Sequence, residues 1–424
     1  MYGTRSKGAL QPLFAAALAA HTPPHIEVKL YDERIEEIPY EKHTDLVALT
    51  IETFCARQAY SIAAEYRKRG ISVVAGGYHA TLCPGECLKH VDAILCGDAE
   101  ELWPKVLTDL QKGKLKQTYI QHGMIDPSYI RFRKEIFEGK PYGPVEMVQW
   151  GRGCPYDCDF CSIKSFYGSG QICRPIDTLM EELETLRSKT VFFIDDNLLH
   201  NRKTFKEFLR NITPLKLKWV CQIPITIARD DELLKLMAES GCFVVLIGFE
   251  TFDEANLKLM NKQWNTATIS YDDAVRKIMS YGIFIYGTFI FGYDHDTPDA
   301  FRTAIDFASK HRFFIANFNP LYPMPGSRLY DRLKKESRLV VNWWTQDHFY
   351  YGKSMLKPSG MTSEELETKC YQAKREFNSW RSILHRSPVA MKSNHKLHNL
   401  ALFLYTNYIN RQEIIHKQGK ILGA

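Results

Sequence analysis

The chain has 424 residues, 45% hydrophobic and 25% charged, a balance that fits a folded globular protein and excludes a disordered or fibrous one. Its length predicts two or three domains. Lys and Arg number 55 against 49 Asp and Glu, a net charge of +6 with no basic run or aromatic-interleaved basic stripe, so no nucleic-acid partner is expected.

No stretch approaches 18 uninterrupted apolar residues, the Ala-rich run ending at Ala20 is too short to span a bilayer, and Met1–Gly8 leads into no secretory signal. Eleven cysteines in such a chain are expected as reduced thiols in a cytoplasmic protein, some of them ligands.

The chain opens on a helical pattern over about Gly8–Ala20. Ile26–Tyr31, Asp45–Thr50, Ile71–Ala75 and Ala93–Cys96 read as strands, with a helix over Ala56–Arg69 and another from Ala99. Strands interleaved with helices predict a parallel, doubly wound sheet over residues 1–112. Such a domain normally begins with a strand, so either the sheet is one strand short or the natural chain begins upstream.

Residues 113–143, polar with Gly and Pro, read as a linker. A second alternation follows over 144–336. Its candidate strands are Val145–Trp150, Thr190–Ile194, Lys218–Ile223, Phe243–Gly248, Ile283–Phe291 and Ala316–Leu321. Helical patterns lie between them at Thr178–Arg187, Asp231–Ser240, Tyr271–Tyr281 and Pro298–Lys310. Six strand–helix units suit an incomplete parallel barrel, whose chemistry sits at the strands' C-terminal ends. Residues 337–424 read as helical.

Directly after the first barrel strand comes GRGCPYDCDFCSIKSF, in which Cys154, Cys158 and Cys161 have the spacing C-x3-C-x2-C. Three thiolates on one loop can each hold one iron of a cubane cluster and leave the fourth iron open. An open position marks a catalytic metal site rather than a closed structural one. The competing reading is a structural zinc knuckle with Cys173 as fourth ligand, or three unconnected buried cysteines. Cys55, Cys83, Cys87, Cys96, Cys221, Cys242 and Cys370 read as small buried apolar residues.

This motif, with Phe160 before the last cysteine, resembles the signature of the radical S-adenosylmethionine superfamily. With FYG, Arg174-Pro175, FFIDDN, LIGFE and YPMPGS behind it, the chain is similar to the branch with an N-terminal cobalamin-binding domain. One departure is Gly151, where that branch more often has serine. The resemblance implies a [4Fe-4S] cluster on the three cysteines and S-adenosylmethionine chelated to its open iron. Asp195, Asp196, Asn197, Gln222 and Glu250, at barrel strand ends, and Pro325 and Gly326, in the loop Tyr322–Arg328, would then contact the nucleoside and amino acid. Helix capping or a turn competes at residues 195–197, a salt bridge at Glu250, and a plain turn into the next helix at Pro325 and Gly326.

Gly76, Gly77 and His79, in Gly76–Thr81, and Gly97–Glu100 follow two strands of the first sheet, where doubly wound sheets bind ligands. They resemble the GG-x-H-x-T and G-[ED]-x-E segments of cobalamin-binding relatives, although no D-x-H-x-x-G motif supplies a lower cobalt ligand. A domain that only supports the barrel is the alternative.

The implied reaction begins with a low-potential donor of flavodoxin or ferredoxin type. Reductive cleavage of S-adenosylmethionine gives a 5′-deoxyadenosyl radical, which abstracts hydrogen from an unactivated carbon, and cobalamin delivers a methyl group. Radical oxidation or cyclisation without methyl transfer, and an iron–sulfur electron carrier, are the alternatives. Trp343, Trp344, Phe349, Tyr350 and Tyr351 read as a cap on the substrate cavity or as packing. The apolar helix expected over Asn399–Ile415 suits packing on the barrel or peripheral contact with a membrane. The substrate is a small or lipid-like molecule: porphyrinoids, terpenoid lipids and peptides all fit.

Overall fold

Runs rich in Val, Ile and Phe build two parallel sheets in a computed structural model that describes residues 9–392 and 396–421. The chain divides into two compact units. One comprises residues up to Tyr156 together with Ser162–Asp196, the other Asp157–Cys161 together with residues from Asn197 onward.

The first unit contains a four-stranded parallel sheet in sequence order: β1 (Leu46–Thr50), β2 (Ser72–Gly76), β3 (Ala93–Cys96) and β4 (Thr118–Ile120). Val74, Ala93, Leu95 and Tyr119 pack with Trp103, Val106 and Leu107 of the helix Trp103–Gln111. That apolar face, out of water on both sides of the contact, drives the sheet and helix together.

Three expectations change here. Ile26–Tyr31 joins no sheet: its apolar side chains alternate as in a strand, but Ile26 and Leu30 are held by packing against two different clusters instead of by a ladder. The fourth strand is β4, inside the segment expected as linker, bonded to β3. The helix expected from Ala99 starts at Trp103, where Pro104 occupies the first turn and loses no hydrogen bond there. At the N-terminus the helix covers Leu13–Ala20, and Gly8 lies outside the described residues.

All six barrel strands appear as expected, as β5 (Glu146–Val148), β8 (Thr190–Phe193), β9 (Lys218–Gln222), β10 (Cys242–Glu250), β11 (Phe284–Phe291) and β12 (Ile315–Pro320). They form a parallel sheet in the order β12-β11-β10-β9-β8-β5. A short antiparallel pair, β6 (Gly151–Gly153) with β7 (Gln171–Cys173), follows β5. The second unit's core is strongly aromatic: Phe249, Phe289, Phe313 and Phe318 are all fully buried, and Phe249 stacks on Phe289 at 5.6 Å.

Helices Ser363–Phe377, Trp380–Arg386 and Lys396–Lys417 form the C-terminal region. Phe403 of the last helix packs with Phe243, Phe284 and Phe314, which places that helix on the barrel strands. Among the described residues no helix is long and apolar enough to cross a membrane.

Candidate functional site

The cysteine stretch is shared between the units, with Cys154 in the first and Cys158 and Cys161 in the second. All three are half-buried and form no disulfide.

In the first unit the sequence just before Cys154 is clamped by carboxylates from the end of β8. Asp195, 1% exposed, accepts from the backbone N–H of Trp150 at 3.0 Å and of Gly151 at 2.5 Å. Asp196 accepts from Gly153 N–H at 2.8 Å. Burial pushes the Asp196 carboxyl up to about 6, partly offset by that backbone donor. The pair therefore fixes the path of the chain into Cys154. A contact to the nucleoside is expected of these residues, and the structure shows that Asp195 and Asp196 also hold the backbone before Cys154. Asn197, in the other unit, accepts from Leu199 N–H at 3.0 Å, as a turn residue does.

Arg152, buried at 6% exposure, donates to Asp98 at 2.9 Å and to Glu100 at 2.5 Å. Tyr167 donates to the same Asp98 oxygen at 3.1 Å. Burial works against the guanidinium's charge, but the two carboxylates outweigh it and raise its pKa. The Gly97–Glu100 segment, expected to face cobalamin, thus spends both acidic side chains on the Arg-Gly-Cys motif.

Gly77 has φ +96°, and a Cβ there would lie 2.9 Å from Ile51 O, so the loop after β2 needs glycine for its approach to the end of β1. Gly76 ends β2 with room for a Cβ, which would meet Leu95 only at ordinary contact distance. His79 is fully buried, with Nε2 3.0 Å from the Tyr60 hydroxyl and 3.2 Å from Glu86, and Nδ1 3.3 Å from Thr53. Both ring nitrogens are engaged inside the unit, so His79 braces the loop from beneath.

In the second unit Glu250 ends β10 at φ +63°, an uncommon conformation for a residue with a Cβ. Its carboxylate, 6% exposed, accepts from Lys262 Nζ at 2.6 Å, and Lys262 is 7% exposed. A Cβ on Gly248 would lie 2.1 Å from the Glu250 carboxylate and 2.8 Å from the ammonium, so the ion pair occupies the space that glycine leaves open. Burial lowers the Lys262 pKa, but Glu250 and the thiols of Cys158 and Cys161 outweigh it, and the net shift is upward. The salt bridge weighed for Glu250 is present, buried rather than at the surface.

Asp159, between those two cysteines, is tied to the rest of the unit. Its carboxylate accepts from Tyr293 OH at 2.5 Å, its N–H donates to Met260 O, and its carbonyl accepts from Leu329 N–H. Arg328 and Asn261 bond Asp157 at 2.7 Å and 2.9 Å. The loop Tyr322–Arg328 therefore anchors the cysteine segment. Within it Pro325 is buried, Gly326 is exposed at φ +76°, and Ser327 caps the helix Arg328–Lys335, as the plain-turn reading has it. Trp343 donates to Pro323 O at 2.9 Å, so the aromatic cluster packs behind this loop. Gln222 ends β9 with an exposed side chain.

Among the described residues, no group of three or more His, Cys, Asp or Glu side chains is drawn together closely enough to hold a metal ion. The donor chemistry nevertheless fits an iron–sulfur cluster. The spacing supplies three thiols, and the buried ammonium of Lys262 lies within electrostatic reach of two of them. Lys262 carried no signal in the sequence, because nothing about a lysine in a polar stretch after a one-turn helix announces burial.

Residues 148–308 match the family model described as the Radical SAM superfamily. The chain is 29% identical over 388 residues to bacteriochlorophyllide d C-12(1)-methyltransferase of Chlorobaculum tepidum, covering 88% of this chain and 84% of that one. It is 27% identical to hopanoid C-2 methylase of Rhodopseudomonas palustris, covering 78% of this chain and 66% of that protein. Among solved structures it is similar to the radical S-adenosylmethionine methyltransferase TsrM of Kitasatospora setae, with TM-score 0.64, 15% identity, and 98% and 97% of the two chains covered. The cysteine motif, the barrel it follows and the family match agree on residues 148–308, which match the radical SAM superfamily.

Proposed function

We propose that the protein is a cobalamin-dependent radical S-adenosylmethionine methyltransferase that methylates carbon on a large hydrophobic small molecule of the tetrapyrrole or hopanoid kind. The supporting observation is similarity along most of the chain to curated C-methyltransferases of those two substrate classes. Cys154, Cys158 and Cys161 would hold a [4Fe-4S] cluster, which when bound supplies the electron that cleaves S-adenosylmethionine. The protein's share is placement. Asp195 and Asp196 set the backbone before Cys154, while Asp157 and Asp159 fix the rest of the cysteine segment. Lys262 and Glu250 offer a buried cation and carboxylate at one strand end, suited to the carboxylate and the ammonium or ribose of S-adenosylmethionine. The loops after β2 and β3 lie at strand carboxyl ends, where a doubly wound sheet takes a large cofactor.

Anaerobically reconstituted protein supplied with cobalamin, reductant, methyl-deuterated S-adenosylmethionine and either a chlorin or a hopanoid tests this. Product heavier by one labelled methyl group in one of the two classes supports the reading. Oxidised or cyclised product without label would replace it with the radical oxidation alternative.

A further inference from the structure

Charge is distributed very unevenly along this chain. Residues 379–424 hold 7 of the 55 Lys and Arg and 1 of the 49 Asp and Glu, leaving 48 of each in the first 378 residues. The whole net charge of +6 therefore resides in the C-terminal helices.

The same segment concentrates exposed apolar surface. Of thirteen large hydrophobic side chains exposed among the described residues, eight fall between Trp380 and Ile421. On the helix Lys396–Lys417 they form a line. Leu397, Tyr405, Tyr408 and Ile415, with Ala401 between, recur at helical spacings of three, four or seven, so they share one face. Phe403, Asn407 and Ile414 occupy the opposite, buried face. The helix is thus apolar on two sides, of which the barrel covers one. Trp380 stacks on Tyr408 at 6.3 Å, which joins the exposed Trp380 and Leu384 of the preceding helix to the line. The line runs for roughly 27 Å at about 1.5 Å per residue. Arg381, Lys417 and Lys420, all exposed, lie on the same segment.

We infer that this face is a peripheral docking surface for an anionic lipid bilayer. Aliphatic residues bordered by Trp, Tyr and Lys have the composition of helices that lie in the headgroup region. The helix is too polar to cross the membrane, so it lies along it. A second copy of the chain fits poorly, because a two-fold contact would bring two segments of net charge +6 together. Nucleic acid fits poorly as well, because the aliphatic Leu384, Leu397 and Ile415 interrupt the rings of Trp380, Tyr405 and Tyr408 and leave no continuous stacking platform. The inference does not depend on the reaction proposed above.

Co-sedimentation of the full chain with equimolar phosphatidylglycerol–phosphatidylcholine vesicles, and with phosphatidylcholine alone, tests it. Binding to the anionic vesicles is expected, falling steeply with salt. The combined variant Arg381→Glu, Lys417→Glu, Lys420→Glu should bind at least about 30-fold more weakly. The variant Leu384→Ser, Tyr405→Ser, Ile415→Ser, with its charge intact, should lose at least about tenfold. Both alter exposed side chains and should keep the wild-type melting temperature. Absence of binding to anionic vesicles would overturn the inference. So would equal binding to both vesicle types, or a dimer or RNA complex that the same substitutions abolish while vesicle binding is absent.

Discussion

Replacing Lys262 by Met removes the ammonium from the Glu250–Lys262 pair while keeping most of the side-chain volume. Both groups are less than a tenth exposed and the contact is 2.6 Å, so Glu250 is left as a buried carboxylate without its cation. Removing one partner of such a pair costs about 3–5 kcal/mol, most of it the penalty of the stranded charge. At roughly 2–4 °C per kcal/mol for a unit of this size, the melting temperature should fall by about 6–20 °C. Adding Glu250→Gln should recover most of the stability, because the double variant strands no charge. Scanning calorimetry of wild type, both single variants and the double variant at matched scan rate reads the coupling. A Lys262→Met protein that melts within 2 °C of wild type, or a double variant no better than the single one, would refute a buried, mutually dependent pair.

Arg152→Gln should destabilise the first unit by about 3–5 kcal/mol, since Asp98 and Glu100 would face each other buried and uncompensated; Asp98→Asn with Glu100→Gln in the same chain should restore much of the loss in thermal melts. Gly77→Ala, at φ +96° with Ile51 O in the way, should cost about 1–3 kcal/mol and weaken cobalamin retention more than S-adenosylmethionine binding, as measured by spectroscopic titration. Burial raises the Asp294 carboxyl, but its bonds to Arg332 and Arg338 outweigh that and hold it at about 2. Its contribution is present above the ordinary carboxylate range and lost as pH falls from about 4 to about 2. With partial exposure this amounts to roughly 1 kcal/mol, and Asp294→Asn should remove that part of the acid limb in a pH series of denaturant midpoints.

The barrel was legible because β8, β10 and β11 are largely buried and read as runs rich in Val, Ile and Phe with glycine or acid at their ends. Cys154, Cys158 and Cys161 were legible because spacing alone defines the ligand set. β4 was not, because three residues among polar neighbours make no pattern until β3 offers its edge. Ile26–Tyr31 misled in the opposite way: alternation reports that one side is covered, and packing covers it without a ladder. Asp195, Asp196, Asp98 and Glu100 stood out as polar residues at strand ends, but their backbone N–H and Arg152 partners were not legible there. One-dimensional pattern separates ligand contact from loop clamping poorly, since both place acids at the same positions. Lys262 acquires its role only from burial, which spacing does not encode.

At the centre of the proposed chemistry is a cluster held by three cysteines and used to cleave S-adenosylmethionine. Iron content and products of the anaerobically reconstituted protein, measured beside the variant carrying Cys154→Ala, Cys158→Ala and Cys161→Ala and beside Cys370→Ser, test it most directly. Wild type and Cys370→Ser should each hold about four irons per chain and, with cobalamin, reductant and substrate, release both 5′-deoxyadenosine and S-adenosylhomocysteine. The triple variant should hold none and release neither. Stoichiometric zinc in place of iron, or 5′-deoxyadenosine undiminished in the triple variant, would contradict the account.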